Sequence, residues 1–135
     1  RLPVVIHNRS AHREMQWFLQ EEGIYQLDGV MHCFSGDIDD ARFYLEMGLH
    51  ISFTANITYP DFRRLDVVRY VPLERLLLET DSPYMTPYPL KKKRNEPANV
   101  FYVAEKIAEL HSRPIEEIAE ITTANAIRLF KLPSL

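Results

Sequence analysis

The chain has 135 residues, of which 46% are hydrophobic and 26% are charged, as in a globular domain with a core of its own. Its net charge of -3 argues against a surface that coats nucleic acid broadly but leaves room for a local basic patch. No apolar stretch reaches the roughly 18 residues of a membrane span, so we expect no membrane partner. The single cysteine, Cys33, excludes an internal disulfide and favours a reducing compartment, so we expect a cytoplasmic protein.

Four apolar runs predict β-strands, at residues 4–7, 29–34, 50–55 and 75–81. The first run is unbroken rather than alternating, so we expect a buried strand there. It follows the start Arg1-Leu2-Pro3 at once, which we interpret as a chain that begins inside a larger fold, with a processed terminus as the alternative.

Helical spacing of apolar residues predicts a helix after each strand. We expect Ser10 to be the N-cap of the first helix, and Pro60 or Asp61 to open the third. Pro97 and Pro114 are placed to open two more helices. Strand and helix recur about every 25 residues, which predicts an α/β fold with parallel strands and helical crossovers.

Three of the strand-like runs end in residues of the types that commonly bind metal ions in proteins. His7 and His32 close the first two runs, and Asp81 closes the last, with Glu79 one pleat deeper. In parallel sheets and barrels, reactive groups gather at the carboxyl ends of the strands. Two acids that end a buried strand are costly unless a cation or hydrogen bonds compensate them. The pattern indicates a site for a hydrolytic ion such as Zn²⁺ or Mn²⁺, although a strand-end histidine is often an ordinary core or surface residue.

The other candidates have weaker patterns. We expect ordinary solvated or interfacial roles for His12, His50 and His111, and a small core position for Cys33. The proline-rich segment 82–97 is predicted to be a long loop that carries the basic run 91–94. That run either touches a nucleic-acid backbone or is simply solvated. Three tyrosines near the same end could stack on bases or only pack: Tyr59, Tyr84 and Tyr88.

Several motifs together resemble the TatD family of metal-dependent hydrolases. They are Pro3-Val4-Val5-Ile6-His7-Asn8-Arg9 with Ala11-His12, His32-Cys33-Phe34-Ser35-Gly36, Glu79-Thr80-Asp81-Ser82-Pro83-Tyr84, Arg94-Asn95-Glu96-Pro97 and Thr123-Ala124-Asn125-Ala126 with Leu129-Phe130. The motifs occur in family order and span nearly the whole chain, so the combined match is specific although each piece alone is weak.

The resemblance implies the C-terminal half of a (β/α)8 barrel of the TIM type, with an amidohydrolase-like metal site. Residues 1–135 would form a single partial domain that holds strands five to eight and the C-terminal helices. Family members are chiefly deoxyribonucleases, so the implied activity is 3′-5′ exonuclease-like cleavage of phosphodiester bonds by metal-activated water. The implied cofactor is one or two divalent ions (Mg²⁺, Mn²⁺ or Zn²⁺), and the implied partner is DNA, as a single strand or an end.

Carried over position by position, the resemblance makes His7 and His32 metal ligands. Asp81 would bind metal and also orient or deprotonate the attacking water, with Glu79 supporting it from beside the site. Arg9 and Arg94 are candidates to hold the substrate phosphate, because guanidinium meets phosphate through two parallel hydrogen bonds.

One departure from the family is large. The family's His-x-His pair and its bridging glutamate, both from the N-terminal half of the barrel, are absent here. We therefore expect that half to be the missing partner, and the 135-residue chain alone to bind metal weakly and to catalyse poorly. Two alternatives stay open: an amide or ester hydrolase of the amidohydrolase type, and a non-catalytic half-barrel that acts as an interaction module.

Overall fold

The computed structural model describes residues 2–88, 90 and 93–133. Four strands alternate with three helices, and two longer helices follow. In chain order the elements are β1 (Val4–His7), α1 (His12–Glu21), β2 (Gly29–His32), α2 (Ile38–Glu46), β3 (His50–Phe53), α3 (Leu65–Tyr70), β4 (Leu76–Leu78), α4 (Val100–His111) and α5 (Ile115–Phe130). Short 3₁₀ turns lie at Ala55–Thr58, Leu73–Arg75 and Pro97–Asn99.

The four strands form one parallel sheet in the order β1-β2-β3-β4. The predicted strands and their parallel arrangement are thus confirmed, although β2, β3 and β4 end two or three residues earlier than the apolar runs do. In β2 the pairing stops because Cys33 adopts a left-handed backbone with φ of 47°. Beyond the regular strands, the Phe34 amide still donates to the Ser52 carbonyl at 3.0 Å and the Glu79 amide to the Phe53 carbonyl at 3.3 Å, so the segments after β2 and β4 stay attached to β3.

The two faces of the sheet differ in what covers them. One face contributes Met31, Ile51 and Phe53 to a large apolar core under the helices, which we call the outer face. On the opposite, inner face, Val30 and Leu77 pack against Leu129 near the end of α5. The carboxyl-end part of the inner face carries the predicted metal ligands, and the amino-end part lies beneath the end of α5.

Strand β1 corrects one expectation from the sequence. The run was expected to be buried, but the side chains of Val4 and Val5 are 40% and 61% exposed. The reason is that β1 lies at the edge of the sheet and, within the described residues, pairs only with β2. An open edge with exposed β-branched residues is a site for further strand pairing.

Two helix starts also differ from expectation. Ser10 does not cap α1, because its backbone is left-handed with φ of 56°. Instead the side chain of Asn8 accepts a hydrogen bond from the Ala11 amide at 3.0 Å and donates one to its carbonyl at 3.1 Å. Helix α3 begins at Leu65 rather than at Pro60 or Asp61, and in the turn before it the Tyr59 hydroxyl donates to the Thr86 carbonyl at 3.0 Å.

The remaining helix starts agree with the sequence. Pro97 begins the 3₁₀ turn that leads into α4, and Pro114 directly precedes α5. The buried Asn95 side chain accepts from the Glu96 amide at 2.9 Å and donates to the Tyr84 carbonyl at 2.7 Å. It therefore ties the loop after β4 to the start of α4. None of the helices in the described ranges has the length and hydropathy of a membrane span.

Asn125 fixes α5 against the amino end of β4. Its side chain is 2% exposed, and its amide donates to the carbonyls of Leu73 and Leu76 at 2.7 and 2.9 Å. Both hydrogen bonds would be lost in an Asn125→Ala variant; the Leu73 carbonyl would keep the Leu76 amide as a partner, whereas loss of a partner at a buried polar group costs about 1–3 kcal/mol.

We predict that Asn125→Ala lowers the free energy of unfolding by at least about 2 kcal/mol, measured by urea denaturation. The exposed Glu120→Ala on the same helix serves as the control and should change it by less than about 0.5 kcal/mol. Equal stability of the two variants would show that Asn125 does not anchor α5.

Candidate metal centre

The strand register brings His7 and His32 side by side. The two residues are direct partners in the β1–β2 ladder, and their ring centroids lie 5.8 Å apart. His7 is exposed on the edge strand, whereas His32 is partly buried. The two histidines lie side by side because parallel pairing places the carboxyl ends of neighbouring strands at one edge of the sheet.

His32 lies between two carboxylates that reach it from the segment after β4. Its Nδ1 forms a close contact with Oε2 of Glu79, and its Nε2 lies 3.2 Å from Oδ1 of Asp81. The second oxygen of Glu79, Oε1, accepts a hydrogen bond from the Cys33 amide at 2.6 Å. Glu79 therefore fixes both the ring and the backbone at the end of β2.

Two carboxylates on opposite sides of one imidazole favour a cation beside the ring. A neutral imidazole has only one N–H, so it can donate to one carboxylate and must present a lone pair to the other. A cation beside the free nitrogen makes both contacts favourable at once. Because Glu79 holds Nδ1, the cation position is at Nε2, next to Asp81.

The geometry of this pair fits a divalent metal ion. Two ligands about 2.0–2.2 Å from one ion lie roughly 3.0–3.5 Å apart, which includes the 3.2 Å between Nε2 and Oδ1. A carboxylate on the other ring nitrogen is the usual support of a metal-binding histidine. Within the described ranges, however, no group of three or more His, Cys, Asp or Glu side chains converges to hold an ion. The described residues thus bring His32 and Asp81 together, with His7 adjacent and Glu79 behind.

Cys33 lies at the edge of this cluster, so its expected core position is wrong. The side chain is only half-buried, and its Sγ lies 3.5 Å from the Thr54 hydroxyl. Burial raises the pKa of the thiol, the Thr54 hydroxyl opposes that shift, and the charges of Asp81 and Glu79 add to it. Such a thiol is a poor nucleophile near neutral pH.

The predicted phosphate-binding arginines lie apart from this cluster's hydrogen-bond network. Arg9 and Arg94 are both exposed, and neither forms a hydrogen bond or ion pair within the described part of the chain. In the basic run 91–94, residues 91 and 92 lie outside the described residues, whereas Lys93 is exposed. Tyr84 and Tyr88 are 75% and 51% exposed beyond β4.

The remaining histidines divide into two kinds. His12 contacts the Tyr44 hydroxyl at 3.2 Å, and His111 donates to the Val68 carbonyl at 2.9 Å, so their expected interfacial roles are confirmed. His50 differs, because it is 4% exposed and, among the described residues, neither ring nitrogen has a hydrogen-bond partner. Its partner in the β2–β3 ladder is Val30, which packs against Leu129 of α5, so His50 also lies on the inner face of the sheet. The sequence pattern did not indicate this position.

A parallel α/β sheet with histidine and carboxylate at the carboxyl ends of its strands has the arrangement found in the enzymes of the α/β barrel class. The model of the family described as "TatD related DNase" matches residues 1–131. The chain therefore belongs to the TatD family.

Known proteins agree with this assignment. The chain is 47% identical over 132 residues to the uncharacterized metal-dependent hydrolase YabD of Bacillus subtilis, covering 97% of this chain and 52% of YabD. It is 44% identical over 131 residues to the uncharacterized metal-dependent hydrolase YcfH of Escherichia coli K12, covering 96% of this chain and 49% of YcfH. The chain thus spans about half the length of these relatives.

The solved structures agree on the fold. The crystal structure of YjjV, a TatD homologue from Escherichia coli K12, superposes with a TM-score of 0.87 at 34% identity, covering 98% of this chain and 51% of YjjV. A TatD family hydrolase from Entamoeba histolytica superposes with a TM-score of 0.84 at 24% identity, covering 96% of this chain and 50% of that protein. The predicted fold, half of a TIM-type barrel, is confirmed.

A shared metal ion between His32 and Asp81 predicts a local response to Mn²⁺, which broadens the NMR signals of nearby nuclei. We expect Mn²⁺ to broaden the ring signals of His32 and His7 before those of the distant His111. In Asp81→Asn, equal broadening should require at least about tenfold more Mn²⁺, because one ligand is weakened.

Asp28→Asn is the matched control, because Asp28 precedes β2 at the opposite end of the sheet. It should leave the Mn²⁺ response of His32 unchanged. Broadening of all histidine signals together, or an unchanged response in Asp81→Asn, would contradict the assigned site.

Proposed function

We propose that this chain forms part of a metal-dependent hydrolase that cleaves phosphodiester bonds in DNA, as a 3′-5′ exonuclease-like enzyme. The observation that carries the proposal is His32 held between Glu79 and Asp81 at the carboxyl ends of parallel strands. The family description as related to a DNase and the relatives' description as metal-dependent hydrolases support it. The free, half-buried Cys33 supports a cytoplasmic location.

His32 and Asp81 would hold a divalent ion (Mg²⁺, Mn²⁺ or Zn²⁺), and His7 is close enough along the ladder to join them. A bound divalent ion lowers the pKa of water and neutralises charge on phosphoryl oxygens. Glu79 keeps the His32 ring in place through Nδ1, so that Nε2 stays directed toward Asp81. A second ion, if used, would need ligands beyond these residues.

Asp81 is the proposed general base. Its side chain is 28% exposed, so an attacking water can reach its carboxylate from solvent. Accepting a proton from that water contributes of order 10²–10⁴-fold to the rate. Because Asp81 also faces His32 Nε2, its carboxylate is held in one orientation when the water arrives.

Exposed groups beside Asp81 suit a nucleic-acid substrate. Tyr84 donates its backbone amide to the Asp81 carbonyl at 2.8 Å, and its ring is 75% exposed. Base stacking on such a ring contributes about 1–3 kcal/mol. Arg9, Lys93 and Arg94 are exposed and unpaired within the described residues, so they are available for the phosphate backbone of a single strand or DNA end.

The test is DNA cleavage by the longest form of the protein that its gene encodes, with Mg²⁺ or Mn²⁺ supplied. We expect Asp81→Asn to lower kcat at least about a hundredfold, because a general base is lost. The exposed Asp66→Asn in α3 is the control and should retain wild-type activity. Circular dichroism of each variant checks that the fold is kept.

Substrate choice tests the rest of the proposal. A single strand labelled at its 5′ end should shorten stepwise, whereas blocking its 3′ end should stop the reaction. Full activity of Asp81→Asn would remove Asp81 from the mechanism. Hydrolysis of simple esters or amides without DNA cleavage would favour the amidohydrolase alternative, and inactivity toward all three substrates would favour the interaction module.

A further inference from the structure

A polar cavity lies at the amino-terminal end of the sheet, away from His32 and Asp81. It has a volume of about 540 Å³ and is lined by residues that immediately precede each of the four strands, together with the end of α5. Representative lining residues are Pro3, Asp28, Gly48, Arg75 and Arg128, with His50 at the start of β3. We call this space the amino-end cavity.

His50 forms the buried part of the amino-end cavity. Its side chain is 4% exposed and lines the cavity, yet neither ring nitrogen has a hydrogen-bond partner among the described residues. A buried polar group without a hydrogen-bond partner is destabilising. The Gly29 backbone is a polar group near the ring, so at least one of the two nitrogens is left for a polar ligand that the cavity receives.

Two arginines line the exposed side of the same cavity, and neutral acceptors hold them in place. Arg75 donates to the Gly48 carbonyl at 3.0 Å. Arg128 donates to Oδ1 of Asn125 at 2.6 Å and to the Glu74 carbonyl at 3.3 Å. In the described ranges neither guanidinium forms an ion pair, so no carboxylate contacts either of them directly.

Both positive and negative side chains line the cavity around His50, but within the described residues no ion pair joins them. Lys131 adds a third cation to the lining, and Asp28 and Glu74 add two carboxylates. Burial lowers the pKa of His50, and the charges of Arg75 and then Arg128 lower it further, while the Gly29 backbone opposes them. The arginine charges therefore act on His50 more strongly than the carboxylates do.

We propose that the amino-end cavity binds a small oxyanion of the phosphate type, held by Arg75 and Arg128, with His50 as a buried donor. Guanidinium groups match phosphate oxygens with paired, charge-assisted hydrogen bonds. The bound anion accepts a hydrogen bond from an N–H of the His50 ring and compensates the two arginine charges. This site is separate from the proposed catalytic cluster, which lies at the other end of the strands.

Inorganic phosphate is the first probe, added to the 135-residue chain in EDTA and at constant ionic strength, so that a metal-bound phosphate does not contribute. We expect saturable binding by calorimetry, and an NMR shift of the His50 ring with a rise in its pKa. Arg75→Gln and Arg128→Gln should each weaken binding at least about tenfold, because each removes a charge-assisted hydrogen bond.

The exposed Arg69→Gln in α3 is the matched control and should bind phosphate like the wild type. Arg128 also contacts α5 and the Leu73–Arg75 turn, so thermal unfolding is measured for each variant. If Arg128→Gln is unfolded, the result for Arg75→Gln alone tests the proposal. Binding of deoxyadenosine monophosphate and of deoxyadenosine is measured in the same way, to distinguish a phosphomonoester from free phosphate as the natural ligand. Tighter binding of the monophosphate than of phosphate indicates a phosphomonoester, and equal binding indicates the free ion.

Three results would overturn the proposal. The first is no phosphate binding at tens of millimolar. The second is binding that Arg75→Gln leaves undiminished. The third is binding with no response of the His50 ring, because the anion would then lie elsewhere on the protein.

Discussion

The carboxylate of Glu79 links strand ends that are not neighbours. It contacts His32, the last residue of β2, and Cys33 directly after it, although β3 lies between β2 and β4 in the sheet. In a flat sheet those two strands would be about 10 Å apart, so a long acidic side chain and a curved sheet are both needed to close the gap. The orientation of His32 toward Asp81, and with it the proposed metal position, depends on this one contact.

The inner face of the sheet has polar groups at both ends and an apolar layer between them. Val30, Leu77 and Leu129 pack together in the middle. Toward the carboxyl ends the face carries His32 and Asp81, and toward the amino ends it carries His50 beneath two arginines. The apolar layer keeps the two charged regions apart, so chemistry at one end and anion binding at the other can be altered independently.

The sequence predicted what depends on pattern alone. Strand positions, helix starts at Pro97 and Pro114, and the strand-end positions of His7, His32 and Asp81 follow from periodicity and from the rule for parallel sheets. The apolar run alone predicted a buried β1, whereas the half-barrel that the resemblance implies leaves β1 at an unpaired edge, which agrees with the exposure of Val4 and Val5. The sequence could not reveal the Asn8 cap or the unpaired nitrogens of His50, since these depend on backbone angles and on contacts between distant residues.

The central claim is that His32, oriented by Glu79, and Asp81 share one divalent ion. The most direct measurement is anomalous diffraction from crystals of the protein grown with Mn²⁺. The account predicts a peak about 2.0–2.3 Å from both His32 Nε2 and Asp81 Oδ1, with Glu79 still on Nδ1. A peak bound elsewhere, or a direct hydrogen bond between Nε2 and Asp81 with no peak at saturating Mn²⁺, would contradict it.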